Sequence, residues 1–180
     1  MSKNIVVISS SFRRNGNSQT LLNHFAKGLE ENHHQITKIE LSKLDLKFCL
    51  GCLTCQTKHQ CVLSDDMNSL YQVIKNADIL VFATPIYYYA VSGQLKTFLD
   101  RLNPLYGTKC KFKEVYLLAT CADDNPKALD GAIKDISGWI ECFEGVILKK
   151  VLYGTGVTDI GDIENKSILH EAYTVAKEIL

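Results

Sequence analysis

Short apolar runs alternate along the chain with longer stretches in which apolar residues recur every three or four positions. Asn4–Ser9 (NIVVIS), Asp78–Thr84 (DILVFAT) and Val115–Thr120 (VYLLAT) are nearly continuous apolar blocks, the pattern of strands buried on both faces. Gln35–Leu41 (QITKIEL) alternates apolar with polar residues, which predicts a strand near a sheet edge with one face in solvent. Val146–Tyr153 (VILKKVLY) completes five strands. Between them, Leu21, Leu22, Phe25, Ala26 and Leu29 share one helix face, as do Leu95, Phe98, Leu99 and Leu102. The same spacing recurs at Leu129, Ile133, Ile136, Ile140 and Phe143, and at Ile168, Ala172, Val175 and Ile179. A further helix is expected to start near Ser64, whose hydroxyl would cap DDMNSLYQVIKNA with Asp65 and Asp66 in the first turn. Pro85 is expected to end the third strand.

A strand followed by a helix, five times over, predicts an α/β three-layer sandwich, because right-handed crossovers place helices on both faces of a parallel sheet. The expected order of the five strands is 2-1-3-4-5, and ligands then meet the carboxyl ends of the strands where the order reverses. One domain over residues 1–180 is expected: the length suits a single core, and 3 prolines with 46% hydrophobic residues leave no linker in view. Lys plus Arg and Asp plus Glu both number 20, so no charge excess draws in nucleic acid or anionic lipid. No run approaches the roughly twenty apolar residues that span a bilayer, and the apolar run after Lys3 is too short for a secretory leader. A cytoplasmic protein without a membrane partner is expected. Seven cysteines, an odd number, then point to metal, redox chemistry or burial and not to a disulfide framework.

Chemistry is expected in the loops after strands one, three and four. Ser9–Thr20 reads SSSFRRNGNSQT: hydroxyls, two arginines and an Asn-Gly turn run into a helix expected to be capped by Asn17 or Ser18. Backbone N–H groups at the helix N-terminus, the dipole and a guanidinium make an anion site suited to a phosphate. Neither GxxxxGK nor GxGxxG occurs, which argues against ATP hydrolysis and a Rossmann-bound NAD, and no cysteine begins the CxxxxxR loop of a phosphatase. Thr84–Arg101 (TPIYYYAVSGQLKTFLDR) holds three consecutive tyrosines, which cannot all face one core. At least one is expected to be exposed at the switch point, where a flat ring would pack, and Ser92 with Gly93 opens the next helix. Four cysteines, Cys49, Cys52, Cys55 and Cys61, fall within FCLGCLTCQTKHQC, where Gly51 permits a tight turn. Thiolates at such close spacing suit an iron-sulfur cluster, whereas structural zinc more often takes two CxxC pairs set farther apart. An iron-sulfur cluster, metal-free thiols, and zinc or reversible disulfide chemistry all stay open. Cys121 lies at a strand end within reach of a switch-point ligand, and the five histidines have no metal spacing.

ISSSFRRNGNS resembles the phosphate loop, usually ISGSPRKxGNS, of the flavodoxin-like NAD(P)H-dependent FMN reductases. TPIYYYAVSGQLKTFLDR is similar to their PxYxxxxxxxLKxxxDR segment beside the isoalloxazine ring. The cysteine stretch followed by VLSDDM resembles the CxxCxxCxxxxxCxxxDDM signature of the branch that includes iron-sulfur flavoproteins. These matches span roughly residues 5–101, and beyond them only the β-α rhythm agrees. The resemblance implies a flavodoxin-like fold and bound FMN. Ser11, Arg13, Asn17, Ser18 and Thr20 match positions that bind the phosphate, with Gln19 contributing a backbone N–H. Pro85, Ile86, Tyr87, Tyr88 and Tyr89 match positions that line the flavin. No catalytic side chain is implied: FMN would take hydride from NAD(P)H and pass electrons to a quinone, nitroaromatic, flavin or protein. A homodimer or higher homo-oligomer with FMN at the interface is implied as well. Ser10 and Phe12 depart from the usual Gly and Pro, and TCADDNP (Thr120–Pro126) lacks the glycines of many relatives. The alternatives are an iron-sulfur flavoprotein, or a flavodoxin-like carrier or redox sensor using Cys49–Cys61. Carriers are usually strongly acidic, which the even charge balance opposes.

Overall fold

The computed structural model describes residues 2–180. Its strands are β1 (Asn4–Ser9), β2 (Gln35–Glu40), β3 (Ile79–Tyr87), β4 (Ala90–Val91), β5 (Glu114–Thr120) and β6 (Ile147–Gly154). Its helices are α1 (Asn17–Glu31), α2 (Thr54–Lys58), α3 (Met67–Lys75), α4 (Gly93–Arg101), α5 (Asp130–Ile140) and α6 (Ile168–Lys177). Five strands form a parallel sheet in the order β2-β1-β3-β5-β6, which is the expected 2-1-3-4-5 order of a flavodoxin-like sandwich. The sixth strand, β4, lies outside the predicted set and pairs antiparallel with the end of β3.

The continuous apolar blocks are explained by two separate cores. Val6, Ile8, Leu80, Phe82, Val115 and Leu117 project to the face covered by α3, α4 and α5. Their neighbours Ile5, Val7, Ile79, Val81, Tyr116 and Leu118 project to the face covered by α1 and α6. A strand whose alternate residues meet different helix layers has no polar face. The edges differ accordingly: β2 buries only Ile39, and β6 buries only Leu152 and Gly154. No helix among the described residues is long and apolar enough to cross a membrane.

Three boundaries differ from expectation, each because a distant partner decides the matter. Pro85 does not end β3. The carbonyl of Ala83 accepts from Ser10 N (2.9 Å), so residue 85, two positions on, faces the same side, where β1 has already ended. The missing N–H of Pro85 therefore leaves no ladder bond unmade, and the strand runs on to Tyr87. The helix expected near Ser64 begins at Met67, with Asp66 as N-cap and with Asp65 Oδ1 accepting from Met67 N (3.2 Å). Gly16, not Asn17 or Ser18, is the N-cap of α1. The short α2 lies inside the cysteine stretch, where the apolar spacing predicts no helix.

α1 and α6 cross so closely that Gly28 leaves no room for a side chain: a Cβ there would lie 2.3 Å from Tyr173 O and 2.8 Å from Ala176 Cβ. Gly138, inside α5, has nothing within 4 Å of such a Cβ. Gly28→Ala is expected to destabilise by about 1–3 kcal/mol through overpacking. Gly138→Ala is expected to stabilise by roughly 0.5–1 kcal/mol through backbone entropy. Urea denaturation of the two variants checks both signs.

Candidate functional site

The carboxyl ends of β1 and β3 are joined to the start of α4 by a buried chain of hydrogen bonds. Leu95 N donates to Ser92 Oγ (3.3 Å), Ser92 Oγ to Ser10 Oγ (2.9 Å), and Ser10 Oγ to Ala83 O (3.0 Å). Ser92 N completes the junction by donating to Thr84 Oγ1 (3.0 Å). Ser10, which departs from the usual Gly of the resembled loop, therefore turns its side chain into the protein and away from the cleft; it is 1% exposed.

The loop that follows wraps a turn from Ser11 to Gly16. Ser11 Oγ accepts from Arg13 N (3.2 Å), and a Cβ on Gly16 would lie 3.1 Å from Ser11 Oγ, so a side chain there would press on the turn. No side chain caps α1, which leaves the N–H groups of its first turn without a side-chain partner, and Gly16, Asn17 and Ser18 at that end line the cleft. Asn17 and Ser18 are buried beside them. Asn17 does not cap because its side chain is engaged elsewhere: Nδ2 donates to Asp159 O (2.9 Å) and Oδ1 accepts from Ile163 N (3.4 Å). Arg13 Nη1 donates to Thr158 O (2.7 Å). The loop after β6 is thus part of the site. Asp162 shapes it by accepting from Thr158 N and Asp159 N (2.8 Å each), and these two bonds hold its carboxyl below the usual carboxylate range. Sequence reading misses this loop, whose one signal is Asp159 and Asp162 following the glycines at 154 and 156.

Across the cleft, Tyr87 pairs with Ala90, and Tyr88 and Tyr89 form the two-residue turn between them. Both are left-handed, with φ of 49° and 64°, as a primed hairpin turn requires, although such turns usually take Asn-Gly. Left-handed backbone costs a residue with a side chain about 1–2 kcal/mol. The turn is clamped by its surroundings. A Cβ on Gly131 would lie 2.1 Å from Tyr89 O, Val91 N donates to Asp135 Oδ2 (3.2 Å), and Tyr89 Oη donates to Asp123 Oδ2 (3.4 Å).

The cleft is lined by Ser11, Arg13, Gly16, Asn17 and Ser18 on one side and by Pro85, Ile86 and Tyr87 on the other. Thr120, Cys121, Ala122, Val157 and Thr158 close it. Tyr88 and Tyr89 do not line it: Tyr88 is 100% exposed and Tyr89 60%. Gln19 and Thr20 also lie outside its lining. The Gln19 amide accepts from Ser9 Oγ and donates to Asn23 Oδ1 (3.1 Å), and Thr20 N donates to Gly16 O (3.0 Å). Burial, with Asp123 close by, pushes the Cys121 thiol up, so it stays protonated at neutral pH while donating to Asp123 O (3.2 Å).

The four clustered cysteines differ in burial. Cys49 and Cys52 are exposed, Cys55 is buried, Cys61 is half-buried, and all four are free thiols. Among the described residues no three His, Cys, Asp or Glu side chains converge as a metal ligand set. Cys55 Sγ accepts from Asn103 Nδ2 (2.9 Å) and Cys61 Sγ from Arg101 Nη2 (3.6 Å). The Thr54 N–H and hydroxyl pull the Cys52 thiol down. Leu53 and His59, on either side of α2, have φ of 57° and 49°.

Beneath this stretch lies a buried ion pair. Arg101, 1% exposed, meets both oxygens of Asp65 and donates from Nη1 to Lys47 O (2.7 Å). Asp65 Oδ2 also accepts from Lys47 N (2.9 Å), and Asp66 Oδ2 accepts from Asp45 N (2.8 Å). These acids do not merely sit in a helix's first turn; they anchor both ends of the cysteine stretch. Burial raises the Asp65 carboxyl, but the guanidinium and the two N–H groups outweigh it and hold the group below its ordinary value. The neighbouring Tyr71 hydroxyl is buried without a partner, and burial pushes it up to about 12.

Comparison with known proteins fits this arrangement. The profile of the NADPH-dependent FMN reductase family matches residues 3–142, and the chain belongs to that family. Over 111 residues it is 37% identical to an iron-sulfur flavoprotein of Archaeoglobus fulgidus, a match that covers 62% of this chain and 50% of that protein. The chain spans about half the length of the iron-sulfur flavoproteins it matches. It is 29% identical, over 98% of its length and 96% of the relative's, to a Bacillus subtilis protein named for an NAD(P)H-dependent FMN-containing oxidoreductase. The structure of an NAD(P)H:quinone oxidoreductase from Methanothermobacter marburgensis superposes with a TM-score of 0.75 over 98% of this chain and 96% of that one, at 19% identity. That likeness is one of fold.

Arg101→Met is expected to destabilise the protein by about 3–5 kcal/mol, because it leaves Asp65 buried and unpaired. The Asp65 carboxyl is depressed on folding, so its contribution is present above the unfolded value of about 4 and is lost as pH falls through the lower folded value. Urea denaturation near neutral pH and near pH 3 should accordingly show a steeper acid loss in the parent protein than in Asp65→Asn.

Proposed function

We propose that the chain is an FMN-dependent NAD(P)H oxidoreductase, one FMN-binding domain over residues 1–180 that passes electrons from a reduced nicotinamide to a small acceptor such as a quinone, nitroaromatic or free flavin. The observation that carries this reading is the cleft in which the uncapped first turn of α1 faces Pro85, Ile86 and Tyr87. It offers a phosphate site and an aromatic wall in one groove, and the Gly16 cradle suits a group that must approach the backbone closely. Bound there, FMN supplies the hydride and electron transfer.

The residues would divide the work of holding it. Ser11 and Ser18, with the backbone N–H groups of the first turn of α1, would take the phosphate, and Arg13 would neutralise it while tethered to Thr158 O; Asn17 braces the loop after β6, and Thr20 stands outside the lining. Pro85, Ile86 and Tyr87 would line the flavin. Tyr88 and Tyr89 stand out of the cleft, so in this reading they serve a homodimer or higher homo-oligomer, covering the flavin of a second copy. Because the Cys121 thiol stays protonated, no thiolate charge sits beside the ring. In a reducing, cytoplasmic setting Cys49, Cys52, Cys55 and Cys61 are metal-free thiols. A second reading, an iron-sulfur flavoprotein built on these four, is favoured by the named relatives. Iron and acid-labile sulfide assayed on protein purified without oxygen separate the two: about four irons per chain supports the second, and none supports the first.

The double substitution Arg13→Ala, Ser18→Ala removes a charge-assisted donor and a hydroxyl from the phosphate. It should weaken FMN binding by at least about tenfold, measured by titration of the flavin's fluorescence. Unchanged affinity would show that the phosphate binds elsewhere.

A further inference from the structure

The ion pair beneath the cysteine stretch leaves two polar atoms over. Arg101 directs Nη1 to Asp65 Oδ2 and Lys47 O, and Nη2 to Asp65 Oδ1 and the Cys61 sulfur. Its Nε, in a side chain 1% exposed, has no partner. The Tyr71 hydroxyl is buried without a partner as well. It lies near enough to the Cys61 sulfur and the Arg101 guanidinium for both to act on its ionisation, yet it is bonded to neither. Asp65 has no place for the Tyr71 proton, because its two oxygens already accept from Arg101, from Lys47 N and from Met67 N, which fills the lone-pair sites of a carboxylate. Buried donors without an acceptor are uncommon, since each keeps a desolvation cost that a hydrogen bond would offset. Beside them Cys61 is half-buried, open enough for a small molecule to reach.

We propose that Cys61 is a peroxide-reactive thiol whose sulfenic acid is held by the Tyr71 hydroxyl and the Arg101 guanidinium. The sulfur attacks one oxygen of hydrogen peroxide and the O–O bond breaks. Sulfur loses two electrons, and the other oxygen leaves with the thiol proton, so that thiol and peroxide become sulfenic acid and water. The oxygen gained by sulfur is the acceptor that the Tyr71 proton lacks. Burial pushes Tyr71 up to about 12, so its hydroxyl keeps that proton at neutral pH. The other thiols are either enclosed or unsheltered: Cys55, Cys110 and Cys121 are buried, whereas Cys49, Cys52 and Cys142 are exposed. Cys52 is the strongest competitor for peroxide, because Thr54 pulls its thiol down. A sulfenic acid on an exposed residue meets further thiols and condenses with them, whereas one bonded to buried donors persists. The inference rests on the metal-free reading of the four clustered thiols and adds to it which of them is oxidised and what holds the product.

The test treats the full chain, with iron assayed on the same sample, with an equivalent of hydrogen peroxide, removes the excess with catalase and adds dimedone after increasing delays. Trypsin cuts after Lys58 and Lys75, which leaves Cys61 as the one cysteine of its peptide, and mass spectrometry reads the label there. Label is expected at Cys61, at delays where none is left on the peptide that holds Cys49, Cys52 and Cys55. Tyr71→Phe should cut the label at Cys61 about fivefold, as the loss of one hydrogen bond to the product implies. The same variant, untreated, should be at least as stable as the parent in urea, because the hydroxyl it removes has no partner. No label at Cys61, Cys61 found in a disulfide instead, or a label that Tyr71→Phe leaves unchanged would overturn the proposal. Iron held by these thiols would refute the metal-free reading and this inference together, whereas an iron-free chain without label at Cys61 refutes this inference alone.

Discussion

The site depends on the buried relay from Leu95 N through Ser92 Oγ and Ser10 Oγ to Ala83 O. Each link satisfies a polar group that burial would otherwise leave unpaired at a penalty of about 1–3 kcal/mol. The relay also ties the ends of two central strands to the N-terminus of α4, and so fixes the places where the Ser11–Ser18 loop and the tyrosine hairpin leave the sheet. Both walls of the cleft inherit their position from it. The Ser10 side chain fits where the resembled loop usually has glycine because it finds an acceptor on β3 and turns away from the cleft.

Around that junction the fold accepts local strain and burial of charge. The Tyr88-Tyr89 turn is left-handed at both residues, and Gly131, Asp135 and Asp123 hold it there. Strain of this kind persists where the surroundings over-determine it, and it presents Tyr88 wholly to solvent beside the cleft. Arg101 and Asp65 play the matching part under the cysteine stretch. Their pairing is buried, and their further contacts run to the Lys47 backbone and the Cys61 thiol of the segment above. Arg101 at the end of α4 and Asp65 just ahead of α3 thus act together to seat residues 45–61 on the helix layer.

Much of the architecture is legible in the sequence because burial on two faces leaves an unmistakable apolar block. β1, β3 and β5 follow from such blocks, and the alternating QITKIEL correctly marks β2 as an edge. Helical spacing finds α1, α4, α5 and α6 for the same reason. The misreadings all involve partners remote in sequence. Asn17 looks like a helix cap, but its amide is held by Asp159 and Ile163; Ser64 looks like one too, but Asp65 and Asp66 are fixed by Arg101 and by residues 45–47. Pro85 looks like a strand end until the shorter β1 beside it is known. The Tyr-Tyr turn carries no hairpin signal of its own, because the clamp that permits it comes from α5. Of the candidate site, the Ser11–Ser18 loop and Pro85–Tyr87 come together as expected, while Tyr88, Tyr89, Gln19 and Thr20 fall outside the cleft lining. The loop after β6 carries no motif, and only the fold brings it to the Ser11–Ser18 loop.

The central claim is that this cleft holds a flavin that a reduced nicotinamide can reach. The measurement that tests it most directly is the visible spectrum of the protein, supplied with FMN, freed of excess and titrated with NADPH without oxygen. The account predicts retained flavin absorbance that bleaches with about one equivalent of NADPH per flavin, since each hydride carries two electrons. A protein that retains no flavin, or whose bound flavin stays oxidised under excess NADPH and NADH alike, would contradict it.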